Sequence, residues 1–340
     1  MARDAADSLT YAQHAGLTFC NDEHPGYARV GTARGVAYRD EHGKPIRDAE
    51  TLARIAALAI PPAWTDVWIC PRADGHIQAI GRDAKGRKQY RYHRDWRATK
   101  DQAKYERMIA FGRALPRLRR RVEADLAKRG LPREKVLAAV VRLLEITLIR
   151  VGNDEYAKSN KSFGLTTLRK KHVTLSGVGA VFEFRGKSGK DHRTGFQDRR
   201  LARVIKACQD LRGQRLFQYL DEDGHRRAVE SADVNDYLRA ATGGDFTAKD
   251  FRTWGGSLAA ALFLRDQPVP ADEREAKALS NRCVKAVSRI LGNTPAVCRA
   301  AYVTPLVFEA HAGGTLKIAR PGRGAELALL RCLAARTDPG

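Results

Sequence analysis

The spacing of apolar residues changes once along the chain, near residue 95. Before that point, short apolar runs alternate with polar positions and end at turn residues, which is typical of β-strands. After it, apolar residues recur every three or four positions, which is typical of amphipathic helices. At about 150 residues per domain, 340 residues also suit two domains. The pattern therefore predicts one domain at 1–95 and a second at 96–340.

The first domain is predicted to be small and mainly antiparallel β. Three strands form a meander, with an Asp74-Gly75 turn joining the first two. Their predicted ranges are 67–70, 76–80 and 88–93. One helix is predicted at 48–58, ended by two consecutive prolines.

The second domain is predicted to be mainly α, with one β interruption. Segments with helical periodicity lie at 101–128, 132–151, 198–211 and 232–241 and recur later in the chain. Between them, three short strands separated by glycine-containing turns are predicted at 172–175, 180–184 and 192–196. The fold class is therefore α+β, with a three-stranded β insertion in the helical domain.

The chain is strongly basic and its charge is uneven. Lys and Arg number 61 against 39 Asp and Glu, a formal charge of +22, of which +2 belongs to 1–95 and +20 to 96–340. With 43% apolar residues the chain is too hydrophobic for a disordered basic tail, so a folded protein that binds a polyanion is indicated. Within 1–95 a late basic stretch stands against Asp83 alone and could hold phosphates: Arg82, Lys85, Arg87, Lys88, Arg91 and Arg94.

Several function classes are disfavoured by the sequence. The six cysteines form no CxxC and no zinc-ligand spacing, which favours reduced thiols in the cytosol. The N-terminus lacks the apolar core of a signal peptide, and no segment approaches the roughly 20 apolar residues of a membrane span. The Gly81 to Gly86 spacing resembles a phosphate loop but continues Arg87-Lys88 instead of Lys-Ser/Thr. We therefore expect no membrane, nucleotide or metal cofactor.

Phosphodiester chemistry without a metal needs a nucleophile, cations for the transition state and an acid for the leaving alkoxide. Arg150 ends the predicted apolar helix at 136–149 and is either a site cation or an ordinary cation at a helix C-terminus. Lys187 lies at the tip of a predicted hairpin, where a solvated turn lysine is the alternative. Neither residue decides the function alone.

Two further candidates lie later in the chain. Arg252 is in the first turns of a helix that opens with a capping-box pattern at Thr247-Ala-Lys-Asp250, where the helix dipole favours a bound anion beside the cation. Asn293 precedes Thr294-Pro295, which opens another helix, and Tyr302 follows nine residues after Asn293. Taken alone, Tyr302 would be interpreted as a half-buried core aromatic.

Four segments together resemble the active-site signature of type IB DNA topoisomerases, most closely the compact poxvirus-like branch found in bacteria. The segments are LIRVGNDEYAKSN, FEFRGKSGK, KDFRTWGG and LGNTPAVCRAAYV. The resemblance extends into the first domain through PPAWTDVWICP, DGHIQAIGRD and GRKQYRYH. It implies a second domain similar to the catalytic fold of tyrosine recombinases and topoisomerases IB, and a first domain that clamps DNA.

The resemblance also implies roles for five residues. Tyr302 would attack a DNA phosphodiester and form a 3′-phosphotyrosyl link. Arg150 and Arg252 would donate to the non-bridging oxygens, and Lys187 would protonate the departing 5′ oxygen. Asn293 stands where many relatives have His, and its amide can donate a hydrogen bond but cannot carry positive charge.

Relatives also have a basic, tyrosine-bearing element that contacts DNA in the major groove. The implied DNA-binding residues are Arg87, Lys88, Gln89, Tyr90, Tyr92 and Lys249. The alternative for the two tyrosines is a strand that packs them on its own core. Three histidines, His93, His172 and His192, have no metal-ligand spacing and are interpreted as structural or close to DNA.

The resulting hypothesis is an enzyme that nicks, relaxes and reseals duplex DNA without cofactors. We expect a monomer, with no obligatory protein partner, at the nucleoid of the cytoplasm. One alternative is a tyrosine site-specific recombinase, although Lys249-Asp-Phe-Arg252 replaces the His-x-x-Arg box of that class. The other is a non-catalytic architectural DNA-binding protein, which the charge would suit equally well.

Overall fold

The computed structural model describes residues 9–32 and 35–337. The chain forms two compact units, Met1–Lys104 and Tyr105–Gly340. The longest described helix begins at Arg94, close to the change of pattern at residue 95, and continues past the boundary between the units.

The first unit contains an antiparallel five-stranded sheet and a helix. The strands are β1 Tyr27–Thr32, β2 Gly35–Arg39, β3 Thr65–Ile69, β4 Ile77–Arg82 and β5 Lys88–Tyr92, and the helix is α1 Ala49–Ala57. They pair in the order β2-β1-β3-β4-β5. The predicted meander is therefore confirmed as β3 to β5. The first two strands were missed because glycines and arginines interrupt their apolar alternation.

One buried cluster of the first unit lies between the sheet and α1, and a separate one contains Cys20, Cys70, Ile77 and Ile80. Ile69 and Ala79 on neighbouring strands are fully buried and pack with Ile55 of α1. The Asp48 carboxylate accepts a 2.7 Å hydrogen bond from the backbone N–H of Thr51, which starts the helix as a local capping contact.

The second unit is mainly helical. Helix α2 Arg94–Leu126 begins in the first unit and continues into the second. The other helices of the second unit are α3 Arg133–Thr147, α4 Asp154–Asn160, α5 Arg199–Asp210, α6 Ser231–Thr242, α7 Ala248–Arg265, α8 Glu273–Leu291, α9 Pro295–Ala301, α10 Pro305–Ala312 and α11 Arg323–Thr337. Nearly every residue between Val136 and Leu144 in α3 is buried, with α5, α6 and α7 packed around this helix. A helix that is apolar on all sides belongs at the centre of a core.

The predicted β insertion is confirmed as an antiparallel sheet of three strands in the order β6-β7-β8. The strands are β6 Val173–Ser176, β7 Gly179–Arg185 and β8 Asp191–Gln197. A further pair, β9 Gln218–Leu220 and β10 Arg226–Ala228, was not predicted. Strands of three residues are too short to show an alternation.

Two predicted helix ends were wrong. The helix predicted at 101–128 begins at Arg94, and the one predicted at 132–151 ends at Thr147. Leu148 has a left-handed φ of 54°, and the Thr147 hydroxyl donates to the Leu143 carbonyl at 2.6 Å. Arg150 therefore lies in a loop and does not end the helix, so a helix-dipole role does not explain it.

Helix α2 is long enough to cross a membrane, but its 33 residues include charged side chains throughout. In the described parts of the chain, no helix combines the length and apolar character that crossing a bilayer requires.

Candidate active site

The second unit contains a cavity of about 690 Å³ lined by four of the five predicted catalytic residues. The four are Arg150, Lys187, Arg252 and Tyr302, and Lys249 lines the same cavity. They come from a loop, a hairpin tip, a helix and a helix end. These four residues span more than 150 positions of sequence, and the fold brings them to one surface.

Tyr302 follows directly after the short helix α9. The Thr294 hydroxyl accepts a 3.3 Å hydrogen bond from Val297 N–H, and Pro295 occupies the first turn, so the local sequence starts the helix as predicted. The Tyr302 N–H donates to the Cys298 carbonyl at 3.0 Å and closes the last turn. The phenol is half-buried at the cavity.

Helix α7 contacts the backbone of Tyr302. A methyl group on Gly256 would lie 2.8 Å from the Tyr302 carbonyl oxygen, so only glycine permits this approach. The neighbouring Ser257 hydroxyl donates to the same carbonyl at 3.3 Å. Helix α7 therefore sets the position of the tyrosine from which the phenol extends.

On the role that the resemblance implies for Tyr302, Gly256→Ala is expected to slow covalent attachment to DNA by roughly tenfold or more, because the new methyl displaces backbone and not a movable side chain. Helix propensity favours alanine by about 1 kcal/mol, so a general loss of helix stability would not explain the result. Single-turnover trapping of the protein–DNA adduct measures the rate.

Gly177→Ala is the matched control, since a methyl there meets nothing within 4 Å. Equal rates for Gly256→Ala and Gly177→Ala would contradict the positioning by α7.

Arg252 is only 3% exposed and bonds two helix ends. Its Nη2 donates to the Leu291 carbonyl at 2.8 Å, and its Nη1 donates to the Leu148 carbonyl. These carbonyls lie at the C-terminal ends of α8 and α3, which carry partial negative charge. The protein thus supplies two acceptors of its own for this cation, and the anion expected beside Arg252 stays a prediction.

The same guanidinium lies over the Tyr302 ring, with 4.7 Å between the guanidinium carbon and the ring centroid. Burial raises the pKa of Tyr302, but the charges of Arg252, Arg150 and Lys249 outweigh burial and hold the pKa below its ordinary value. A phenol that loses its proton more easily is a better nucleophile near neutral pH.

Asn293 does not belong to the residues lining the cavity, although it lies two positions after Leu291, which binds Arg252. It is 9% exposed, and in the described structure neither its amide nitrogen nor its amide oxygen has a hydrogen-bond partner. The Nε of Arg252 is likewise buried and unpartnered in those residues. Unsatisfied buried polar atoms are uncommon and are available to a ligand.

Arg150 is held by a backbone pairing that sequence reasoning missed. Its carbonyl accepts from Leu165 N–H at 2.9 Å, and the next carbonyl, of Val151, accepts from Thr166 N–H at 2.7 Å. Over the described ranges, its guanidinium forms no hydrogen bond or ion pair with protein groups. The loop therefore has a fixed backbone and presents a cation to the cavity.

Lys187 lies where the sequence placed it, at the tip of the β7–β8 hairpin. A short turn over Lys187–Gly189 joins the strands, and the Gly186 N–H donates to the Lys190 carbonyl at 2.7 Å. Arg185 Nε donates to the Gly189 carbonyl at 3.4 Å. The lysine side chain is exposed and lines the cavity.

The tyrosine-bearing strand β5 belongs to the first unit. Tyr90 and Tyr92 share one face and stack with centroids 5.8 Å apart, and Tyr92 stacks on Trp96 at 6.1 Å. Tyr92 is half-buried, whereas Tyr90 is 41% exposed. The face is thus partly packed on its own unit and partly open.

The basic stretch of the first unit has more acidic partners than the sequence suggested. Arg87 pairs with Asp83 at 2.7 Å, and Gln89 Nε2 donates to the same carboxylate at 3.1 Å. Lys88 pairs with Asp22 at 2.7 Å. Within the stretch itself Asp83 is the single acid, and the fold adds Asp22, which is distant in sequence.

One group of metal-binding residue types occurs among the described residues, at Asp221, Asp223 and His225 in the β9–β10 turn. The three are not among the residues that line the cavity. Arg227 already pairs with Asp221 at 2.9 Å. The turn is an ion-paired surface feature apart from the cavity.

His192, interpreted from the sequence as structural or close to DNA, interacts electrostatically with two cations of the cavity. It lies on β8 opposite Phe184, and its pKa is lowered by burial and by the charges of Arg150 and Arg252. The register of the predicted hairpin could have indicated this position, because pairing across the short turn places His192 beside Phe184.

Comparison with known proteins covers most of the chain. Residues 93–306 match the family described as eukaryotic DNA topoisomerase I, catalytic core, and residues 35–83 match bacterial DNA topoisomerase IB, N-terminal domain. DNA topoisomerase 1B of Acanthamoeba polyphaga mimivirus is 35% identical over 267 residues, covering 76% of this chain and 80% of the relative. DNA topoisomerase 1B of Vaccinia virus (strain Copenhagen) is 23% identical, covering 74% and 79%. DNA topoisomerase 1 of Rabbit fibroma virus (strain Kasza) is 24% identical, covering 81% and 89%.

Proposed function

Because this chain belongs to the type IB DNA topoisomerases, we propose that it nicks one strand of duplex DNA through Tyr302, lets supercoils relax and reseals the nick. The observation that carries the proposal is the cavity in which Tyr302, Arg150, Arg252 and Lys187 meet. A nucleophile beside three fixed or nearby cations suits attack on a phosphodiester. Family membership favours this reaction over recombination and over a purely architectural role.

In the cleavage step, the phenolate oxygen of Tyr302 bonds to phosphorus and the bond from phosphorus to the 5′ oxygen breaks. The products are a 3′-phosphotyrosyl link and a 5′ hydroxyl. Lys187 gives the departing oxygen its proton. Religation runs the same steps backwards, with the 5′ hydroxyl as nucleophile and the tyrosine as leaving group.

Charge develops on the non-bridging oxygens as the phosphorus becomes five-coordinate. Arg150, whose guanidinium faces the cavity, and Arg252, fixed between two helix ends, would donate to these oxygens. The buried amide of Asn293 would supply a neutral donor. Because the covalent link retains the energy of the broken bond, resealing needs no ATP.

The first unit contributes a second proposed DNA contact. Tyr90 is exposed on β5, with Gln89 beside it on the strand. Arg87 and Lys88 are paired with carboxylates, so DNA phosphates would compete with Asp83 and Asp22 for them. We expect these residues to add affinity with little sequence preference. No step of the scheme needs a second chain, so we propose that a monomer acts.

The direct test is relaxation of supercoiled plasmid by the purified protein with EDTA present and ATP absent. We expect both negatively and positively supercoiled plasmids to relax, because rotation about an intact strand has no preferred direction. Failure of the wild-type protein to relax either plasmid would contradict the proposal. Retention of plasmid without protein-linked nicks would favour the architectural alternative.

The pH dependence of cleavage tests the environment of Tyr302. The rate of adduct formation should rise with pH and level off below about 10, the ordinary pKa of a tyrosine, because the neighbouring cations favour the phenolate. Lys249→Ala removes one of these cations and should move the rise to higher pH. Single-turnover cleavage at saturating DNA measures both profiles.

Lys206→Ala is the control for that experiment, because Lys206 pairs with Asp210 on the surface of α5. A Lys249→Ala profile that coincides with the Lys206→Ala profile would contradict the assignment.

A further inference from the structure

His192 lies on the same hairpin as the proposed acid Lys187. It is paired across the hairpin with Phe184, and the two rings stack with centroids 5.2 Å apart and planes 7° apart. The stack fixes the orientation of the imidazole relative to β7. Any movement of the ring is therefore coupled to the strand that leads into Lys187.

The ring also fills the space beside two glycine backbones. A methyl group on Gly186 would lie 2.4 Å from Cδ2 of His192, and one on Gly292 would lie 2.0 Å from Cε1. Real carbon atoms do not approach so closely, so the ring is in contact with both backbones. Gly186 precedes Lys187, and Gly292 precedes Asn293 in the turn between α8 and α9.

Hydrogen bonding does not account for this placement. In the part of the chain that the structure describes, neither ring nitrogen of His192 has a hydrogen-bond partner. Burial lowers the pKa of His192, and the charges of Arg150, Arg252 and Lys190 lower it further, against the opposing charge of Asp191. The stacking contact and the two glycine contacts therefore hold the ring, and its shape is the property that a positioning role would use.

We propose that His192 is a positioning residue for strand cleavage, bracing the β7–β8 hairpin against the α8–α9 turn so that Lys187 meets the departing 5′ oxygen. The inference rests on the proposed function and adds a residue to it. A general acid must lie within hydrogen-bond reach of the atom it protonates. A displacement of about 1 Å can cost roughly 100-fold in rate, so a brace beside the hairpin tip has a measurable effect.

The test compares two DNA substrates at a cleavage site first mapped with the wild-type protein. One has an ordinary phosphodiester, and the other has sulfur in place of the 5′ bridging oxygen. A thiolate leaves without a proton, so the second substrate does not need Lys187 as an acid. We expect His192→Ala to slow cleavage of the ordinary substrate by about 10- to 100-fold and to cleave the sulfur substrate nearly as fast as wild type.

Lys187→Ala is the reference variant. It should also cleave the ordinary substrate slowly and the sulfur substrate nearly as fast as wild type. His225→Ala, in the exposed β9–β10 turn, is the control and should match wild type on both substrates. Equal slowing of His192→Ala on both substrates would overturn the proposal, because a general loss of structure has that signature. Absence of slowing on the ordinary substrate would also overturn it.

Two further variants test the positioning role of His192 if His192→Ala does not fold. His192→Phe keeps a stacking ring without nitrogen and should retain most of the rate, whereas His192→Gln keeps a polar donor without a ring and should be slow. The reverse order would show that hydrogen bonding matters and would overturn the bracing role. Wild-type adduct formation in the same assay reports separately on the proposed function.

Discussion

Tyr302→Phe is expected to bind duplex DNA but to form no covalent adduct and to relax no supercoils. The change removes one oxygen atom, the proposed nucleophile, and keeps the ring that lies under Arg252 at 4.7 Å. Loss of a nucleophile lowers the rate by roughly 10⁴-fold or more, since water must replace it without the same positioning. Detergent-stopped plasmid reactions and single-turnover trapping measure the loss.

Tyr219→Phe, on β9, provides the matched control and should retain wild-type rates. DNA affinity of Tyr302→Phe should remain within a few-fold of wild type, because the proposed phosphate contacts elsewhere would supply most of the affinity. Residual adducts in Tyr302→Phe at a tenth of the wild-type rate would mean that another residue is the nucleophile.

Arg252→Ala is expected to damage both the reaction and the fold. Cleavage should fall by about 10²- to 10³-fold, because the proposed transition-state donor is lost and Tyr302 loses the cation that most favours its phenolate. The free energy of unfolding should also fall by about 2–4 kcal/mol, since the carbonyls of Leu148 and Leu291 lose a buried donor. Urea denaturation and single-turnover cleavage separate the two effects.

Arg252→Lys tests which property matters. A lysine keeps the charge but cannot reach two carbonyls in the fixed geometry of a guanidinium, so we expect partial recovery of rate with little recovery of stability. Arg265→Ala, at the other end of α7 and paired with Asp266 at 2.6 Å, should leave cleavage unchanged. Wild-type cleavage by Arg252→Ala would exclude Arg252 from the reaction.

Local sequence chemistry predicted much of the framework around the site. The capping pattern at Thr247 and the Thr294-Pro295 turn correctly placed the starts of α7 and α9, since a helix N-terminus depends on neighbours within about four residues. Period-two alternation likewise predicted the hairpin that carries Lys187. The resemblance to a known family then distinguished the candidate site residues from the other polar residues.

Local chemistry also failed where distant residues decide the outcome. The helix was predicted to extend through Arg150 because the residues before Arg150 stay apolar. In the structure α3 ends at Thr147, Leu148 is left-handed, and the Leu148 carbonyl accepts a hydrogen bond from Arg252. That partner is 104 positions away in sequence. Similarly, Lys88 looked like an unopposed cation because its partner Asp22 is 66 positions away.

The sequence by itself determined the types of the main elements, the excess positive charge and the chemical identity of the candidate site residues. Only the tertiary structure decided how Arg252 is held by two helix ends, why Tyr302 has a lowered pKa and that His192 fills the space beside Gly186 and Gly292. The physical reason is the distance along the sequence over which each interaction acts. Periodicity and capping depend on near neighbours, whereas burial, electrostatics and packing depend on groups that only the folded chain brings together.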